Sequence, residues 1–349
     1  MKAIKKYTEN GRPAFRLTEA PEPVIQRDDE VKIAITHIGI CMSDIHVLHG
    51  TMQMPDDNII GHECCGVVTE TGKKVTHIRK GDHVVFELAK GACMKCKVCK
   101  SGHYELCPSK TPPGWSSQGV YAEYTVQPEF CVHKISPAIP GEVAAMAEPI
   151  AICVYGCMER GKIQKDDFTV IYGMGSIGLF SLIVLRDAGI KNIVCVSPVR
   201  NGRQRLELAK ELGATHIIEA EKDVIKEILS LRKGQKADCV VDCSGSPQAI
   251  NQGMNLLRKG GKFIALGISA QHPILFEYNT GVLQVIDLVF SATSSHAAWN
   301  KTTGILKRNA RKISKVITHQ FPLSQYQEAF HVLETRQAIK VVLTTGISL

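Results

Sequence analysis

The sequence predicts an α/β protein in two parts: a mostly β segment, then a doubly wound parallel sheet. Three observations carry this. The first third of the 349-residue chain alternates short β-rich runs with turn-forming breakers. From about residue 144, apolar β runs alternate with stretches of helical spacing, as in a parallel sheet covered by helices on both faces. A glycine-rich turn, Gly173–Gly178, joins one such run to the helix pattern after it.

Taken in order, strands are expected over Glu30–His37, Cys65–Thr69, His83–Glu87 and Val120–Val126, separated by Gly72, Gly81 and Pro128. In the second part, strands are expected over Phe168–Tyr172, Asn192–Val196, Cys239–Cys243 and Lys262–Leu266. Helices are expected over Ile177–Ala188, Gly202–Leu212 and Pro247–Leu257. The run DLVFSA, beginning at Asp287, reads as a further strand. Helices over Ala298–Lys307 and Ser324–Glu334 and a strand over Lys340–Thr344 close the chain. The expected division is 1–147, 148–287 and 288–349.

Composition excludes several classes. The chain is 44% hydrophobic and 22% charged, within the range of globular proteins. Its net charge of +8 suits an anionic cofactor or substrate, but no Lys/Arg run with interleaved aromatics points to nucleic acid. The uncharged stretch from Phe168 to Leu185 is long enough to suggest a membrane helix, but its central glycines read as strand, turn and helix. The first residues show no apolar signal core, so a cytoplasmic, non-membrane protein is expected. Thirteen cysteines, four of them tightly spaced, then read as metal ligands rather than disulfides.

Those four are Cys93, Cys96, Cys99 and Cys107, in the pattern C-x2-C-x2-C-x7-C. Four thiolates close a tetrahedral zinc shell, which leaves no place for substrate, so this site is expected to be structural. Lys95, Lys97 and Lys100 offset its negative charge. A second group is open. Cys41, His62 and Glu148 offer a thiolate, an imidazole and a carboxylate, and three protein ligands leave a position for substrate. Zinc there lowers the pKa of a bound alcohol. Ser43 is placed to take the substrate proton and His46 to carry it to solvent, although Ser43 also fits a helix cap. Asp44 is a candidate to orient the His62 ring.

The glycine motif is Gly173-Met174-Gly175-Ser176-Ile177-Gly178. It follows the run FTVIY and precedes a helix pattern, the arrangement that seats a dinucleotide pyrophosphate on a helix N-terminus. The next strand ends in Ser197, where a ribose-binding acid is usual. Arg200, Asn201 and Arg203 follow, a set that accepts a 2′-phosphate, so NADP(H) is favoured over NAD(H).

Together these motifs resemble the zinc-containing medium-chain dehydrogenase/reductase family, which includes alcohol, sorbitol and threonine dehydrogenases. The resemblance spans nearly the whole chain. It implies a GroES-like catalytic domain, a Rossmann domain, a final segment returning to the catalytic domain, and two zinc ions per chain. It also implies homodimers or homotetramers, with Leu288–Thr293 near the contact. Glu148 stands where simple alcohol dehydrogenases carry Cys, and the sequence around it, with Ile339–Val342, is similar to the polyol and polyol-phosphate branch. In that branch Glu63 also ligates zinc, or exchanges with Glu148. Two positions depart from the family pattern: Met42 replaces the usual Gly, and Ser197 the usual acid.

The expected activity is therefore hydride transfer between a secondary alcohol, in a sugar alcohol or its phosphate, and NAD(P), giving a ketose. Threonine or 2,3-butanediol dehydrogenase is the alternative enzyme. A non-catalytic NADPH-binding protein is the alternative of another class.

Overall fold

The computed structural model describes residues 1–199, 202–271 and 273–347. Its chain forms two compact units, 1–148 with 295–349, and 149–294.

The first unit begins with a hairpin, β1 (Lys2–Glu9) and β2 (Arg12–Glu19), turned by Asn10-Gly11 with both residues at positive φ. There follow β3 (Glu30–Gly39), β4 (Glu63–Thr71), β5 (His83–Phe86), β6 (Tyr124–Pro128) and β7 (Val132–Lys134). Glu30 to Ile35 of β3 are all buried, and the strand is central in its sheet, paired with both β4 and β6.

The second unit carries β8 (Phe168–Tyr172), β9 (Asn192–Ser197), β10 (His216–Glu219), β11 (Ala237–Asp242), β12 (Leu257–Ala265) and β13 (Asp287–Phe290). They form one parallel sheet in the order β10-β9-β8-β11-β12-β13. The order reverses beside β8, which places the following glycine turn at the switch point where such sheets bind ligands. Val170, Tyr172, Val194, Val240 and Phe263 build this unit's core. The uncharged stretch from Phe168 resolves into β8 and the helix Ser176–Asp187. Another helical run, Gly141–Arg160, is long and apolar enough to cross a membrane, but its apolar window is 78% buried within the protein.

The chain returns to the first unit through the helix His296–Val316, β14 (Ile317–Pro322), the helix Tyr326–Glu334 and β15 (Lys340–Thr344). β15 pairs antiparallel with β3, so the larger sheet runs β14-β15-β3-β4-β5-β7, with β6 also on β3. The change of unit falls at Ser295, later than the expected 288, because β13 adds to the parallel sheet beside β12. At the other crossing, Glu148 belongs to the first unit.

Candidate active site and cofactor turn

The open group is built where three elements of the first unit meet. β3 ends at Gly39, and Cys41 caps the short helix Met42–Leu48. The cap is not Ser43. The Asp44 carboxylate, in the first helical turn, accepts the Cys41 N–H at 3.0 Å. The same Asp44 oxygen accepts the Tyr121 hydroxyl at 2.7 Å. His62 immediately precedes β4, and Glu63 is its first residue. Gly61 sits at φ +84°, and a Cβ there would lie 1.9 Å from the Tyr121 ring, so only glycine lets His62 be presented here.

The ligand atoms of Cys41, His62 and Glu63 all lie within 4.8 Å of one another. Glu148, in the first turn of the helix Ala147–Cys153, does not join that group of three, but its charge acts on His62. Of the acidic groups around the ring, Cys41 is half-buried, and Asp44, Glu63 and Glu148 are buried. Burial alone would lower the His62 pKa. The hydrogen bond to Cys41 and the charges of Cys41, Asp44 and Glu148 outweigh it and push the pKa up to about 10. Burial first, then the Glu63 and Asp44 charges, raise Glu148 to about 7 against the opposing pull of His62 and Lys340. The place is thus short of positive charge. Ser43 Oγ, His62 Nδ1 and Asp44 Oδ1 are buried there without a hydrogen-bond partner. A thiol, an imidazole and carboxylates with bare polar atoms fit a zinc ion.

The proton-relay residues lie on the helix after Cys41. No hydrogen bond joins Ser43 to His46. His46 Nδ1 instead lies 3.1 Å from Thr51 Oγ1. Asp44 Oδ1 is 3.8 Å from His62 Nδ1, an electrostatic neighbour rather than a hydrogen-bond partner. Sequence reasoning missed three residues, Tyr121, Trp115 and Lys340, of which Tyr121 is the hydroxyl donor to Asp44. Trp115 packs its ring 5.8 Å from the His62 ring. Lys340, in β15, ion-pairs with Glu63. A lone lysine within the apolar run KVVL was the available signal for the latter.

The four cysteines of the other cluster lie together, with neighbouring sulfurs 3.4 to 4.0 Å apart. A zinc tetrahedron with bonds of about 2.3 Å has edges of about 3.8 Å, so the cage fits. The Cys96 N–H points to Cys93 Sγ at 3.4 Å and the Cys93 N–H to Cys107 Sγ at 3.3 Å. Backbone donors at Lys95 and Cys96 lower the Cys93 thiol to about 6, favouring the thiolate a metal needs.

In the second unit, β8 runs into Gly173 at φ +91°, and Gly175 caps the helix Ser176–Asp187. A Cβ on Gly178 would lie 1.9 Å from the Gly173 carbonyl oxygen, so helix and turn pack backbone to backbone. A Cβ on Gly175 would meet nothing within 4 Å. That open space above a helix N-terminus, with Ser176 and Ile177 in the first turn, fits a pyrophosphate. Ser197 ends β9, buried. Arg203 opens the next helix, exposed, 3.7 Å from both Glu207 and Glu219. Arg200 and Asn201 lie outside the described residues.

Two family models match this architecture. The model described as alcohol dehydrogenase GroES-like domain covers residues 27–137, and the one described as zinc-binding dehydrogenase covers residues 176–308. The sorbitol dehydrogenase of Halalkalibacterium halodurans is 34% identical over 345 residues, covering 99% of both chains. The chain belongs to the zinc-binding alcohol dehydrogenase family. This dehydrogenase is also 32% identical to the D-arabitol-phosphate dehydrogenase of Enterococcus avium, over 99% of this chain and 98% of that one. The fold of the dehydrogenase matches the solved alcohol dehydrogenase TADH from Thermus sp. ATN1 with a TM-score of 0.88, at 24% identity and 99% coverage of each chain.

Proposed function

We propose that this dehydrogenase oxidises a secondary alcohol of a sugar alcohol, or of a sugar-alcohol phosphate, to a ketose and passes the hydride to NAD(P). The observation that carries the reading is the donor set: one thiol and one imidazole beside two buried carboxylates, Glu63 and Glu148. Full-length likeness to a sorbitol and a D-arabitol-phosphate dehydrogenase supports it.

Cys41, His62 and either Glu63 or Glu148 would hold a zinc ion, which when bound would supply Lewis-acid polarisation of the substrate oxygen. Ser43, whose Oγ is buried and unpartnered, takes the proton leaving the substrate hydroxyl as it releases its own hydroxyl proton toward His46. His46, half-buried on the same helix, passes it toward solvent. Asp44 holds the Cys41 backbone in place, and Trp115 gives the site one apolar wall. Cys93, Cys96, Cys99 and Cys107 hold a second, structural zinc. Gly173, Gly175, Ser176, Ile177 and Gly178 seat the cofactor pyrophosphate. Ser197 leaves the ribose end without a carboxylate on its own strand, and Arg200, Asn201 and Arg203 then favour NADP(H) over NAD(H). For Arg203 this means exchanging two long, exposed contacts to carboxylates for a phosphate.

The enzyme acts in the cytoplasm as a homodimer or homotetramer. The edge strand β13 supports the oligomer, since Phe290 is 67% exposed beside an unpaired strand edge.

A panel of polyols and polyol phosphates, each with NAD+ and NADP+, tests the reading. The expected result is reduction of cofactor with a polyol or its phosphate, faster with NADP+. Zinc-loaded protein that turns over only threonine or simple alcohols overturns the substrate class. A tenfold or greater preference for NAD+ overturns the cofactor assignment.

A further inference from the structure

A third group of metal-ligand side chains lies in the first unit, apart from both sites above. Glu87 follows β5. His133 sits in β7, which pairs with β5, and His296 opens the helix His296–Val316. Their ligand atoms lie within 4.8 Å of one another. His133 Nε2 is 2.7 Å and His296 Nδ1 2.6 Å from the same oxygen, Glu87 Oε1. The Tyr104 hydroxyl donates to that oxygen too, at 3.1 Å.

The other carboxylate oxygen is bare. Glu87 is 1% exposed as a side chain, and its Oε2 has no hydrogen-bond partner. Three donors crowd one oxygen while its twin goes unsatisfied inside the protein, an arrangement that is costly for the bare atom. The His133 ring is held in orientation by stacking on Trp299, with centroids 5.6 Å apart and planes 12° apart. His296 is 47% exposed, which gives an ion a way in and a face for a water ligand.

We propose that Glu87, His133 and His296 form a third metal site, which takes a divalent transition ion of the zinc, cobalt or nickel type. Two imidazoles and a carboxylate are a ligand set such ions accept, with a fourth position open to water. The ion binds His133 Nε2 and His296 Nδ1 through their lone pairs, so each ring carries its proton on the other nitrogen. Any imidazolium proton is released, and binding strengthens as pH rises. The carboxylate binds through the crowded oxygen or its bare twin, and the ion replaces two of the three hydrogen bonds. Tyr104 keeps its own. The site staples the strand pair β5–β7, at the start of the four-cysteine segment, to the first turn of a helix that the chain reaches only at residue 296.

The test uses purified enzyme carrying two zinc ions per chain, so that the third site is free, titrated with CoCl2 and followed by absorption spectroscopy and by metal analysis after desalting. Wild type is compared with His296→Gln, which keeps a hydrogen-bonding side chain at an exposed position, and with His133→Asn. The expected result is one more cobalt per chain in wild type than in either variant. Its d–d bands should appear without the thiolate charge-transfer band that marks cysteine sites. Cobalt should also raise the wild-type melting temperature and leave that of His296→Gln unchanged. Equal cobalt uptake by wild type and His296→Gln overturns the site, as does a thiolate charge-transfer band on the extra ion. Should His133→Asn fail to fold, the His296→Gln comparison decides alone.

Discussion

Lys340 Nζ lies 2.5 Å from Glu63 Oε2 and 2.7 Å from Glu63 Oε1, and it also donates to the Ile40 carbonyl at 2.8 Å. Both side chains are almost wholly buried, at 2% and 1% exposure. Burial would lower the Lys340 pKa, but the charges of Glu63 and Cys41 and the hydrogen bond to Glu63 outweigh it and raise it. The lysine ties the returning strand β15 to the strand that begins beside His62. Removing one partner of such a pair strands the other, at a cost of about 3–5 kcal/mol. Lys340→Met is therefore expected to lose stability on that scale in urea unfolding, and Lys340→Met/Glu63→Gln to recover part of it. An unchanged midpoint in Lys340→Met would show that the pair holds nothing together.

Two neighbouring glycines should fail in different ways. At Gly178 a Cβ runs into the Gly173 carbonyl, 1.9 Å away, which is backbone and cannot move aside cheaply. At Gly175 a Cβ meets only open space. Gly178→Ala is expected to lower the melting temperature of the enzyme without cofactor by several degrees. Gly175→Ala should leave that temperature nearly unchanged and weaken cofactor binding about tenfold or more, because the methyl group fills the pyrophosphate position. Thermal melts and cofactor fluorescence titrations separate the two.

What the sequence made legible follows from how local each signal is. The strand Phe168–Tyr172 and the glycine turn after it coincide with expectation because residues adjacent in sequence perform the whole task. The four-cysteine cage is legible for the same reason, since its ligands lie on one short loop. The hairpin β1–β2, the strand β10 and the helix Val224–Leu231 were missed. The hairpin's runs are interrupted by charged residues such as Lys5, Lys6 and Arg16, which blur a strand pattern. The helix over Ala298–Lys307 proved to run from His296 to Val316, with a kink at Asn309 where the expected end lay nearby. Lys340, Tyr121 and Trp115 escaped because their partners Glu63, Asp44 and His62 are distant in sequence, and only the fold brings them together.

The cysteine cage gives a metal-content prediction. Its four sulfurs approach the edges of a zinc tetrahedron, and Cys99 lies 3.4 Å from Cys96 and 4.0 Å from Cys93. Cys99→Ser removes one corner. The expected outcome is one zinc fewer per chain by atomic absorption, together with faster proteolysis between residues 93 and 107. Unchanged zinc content would remove these cysteines from the metal inventory.

The strand edge makes a prediction about assembly. Phe290 on β13 is 67% exposed, and Leu283 and Leu275 nearby in the chain are 72% and 85% exposed. A second copy of the chain pairing along this edge would cover them. Phe290→Glu places a charge in that contact and should move the protein to a smaller species by light scattering, with the second unit's fold intact by circular dichroism. A wild-type protein that is already monomeric would exclude the proposed oligomer.

A pH prediction rests on Asp238, at the start of β11. Its carboxylate accepts the Phe168 N–H at 2.9 Å and lies 2.5 Å from Arg258 and 3.4 Å from Arg232. Arg232 in turn lies over the Phe168 ring, 4.6 Å from its centroid. Burial alone would raise the Asp238 pKa. The Arg258 hydrogen bond, the Phe168 N–H and the two guanidinium charges outweigh it and hold the pKa below the ordinary 3.8. A pKa lower in the folded than in the unfolded chain contributes stability above the unfolded value, and that stability is lost as pH falls through the folded value. Asp238→Asn should therefore melt below wild type near pH 7, with the gap narrowing as pH drops below about 4. The shift is modest because Arg258 is half-exposed and solvent screens the pair. A gap that stays constant from neutral to acid pH would mean that Asp238 acts through its shape and hydrogen bonds and not through its charge.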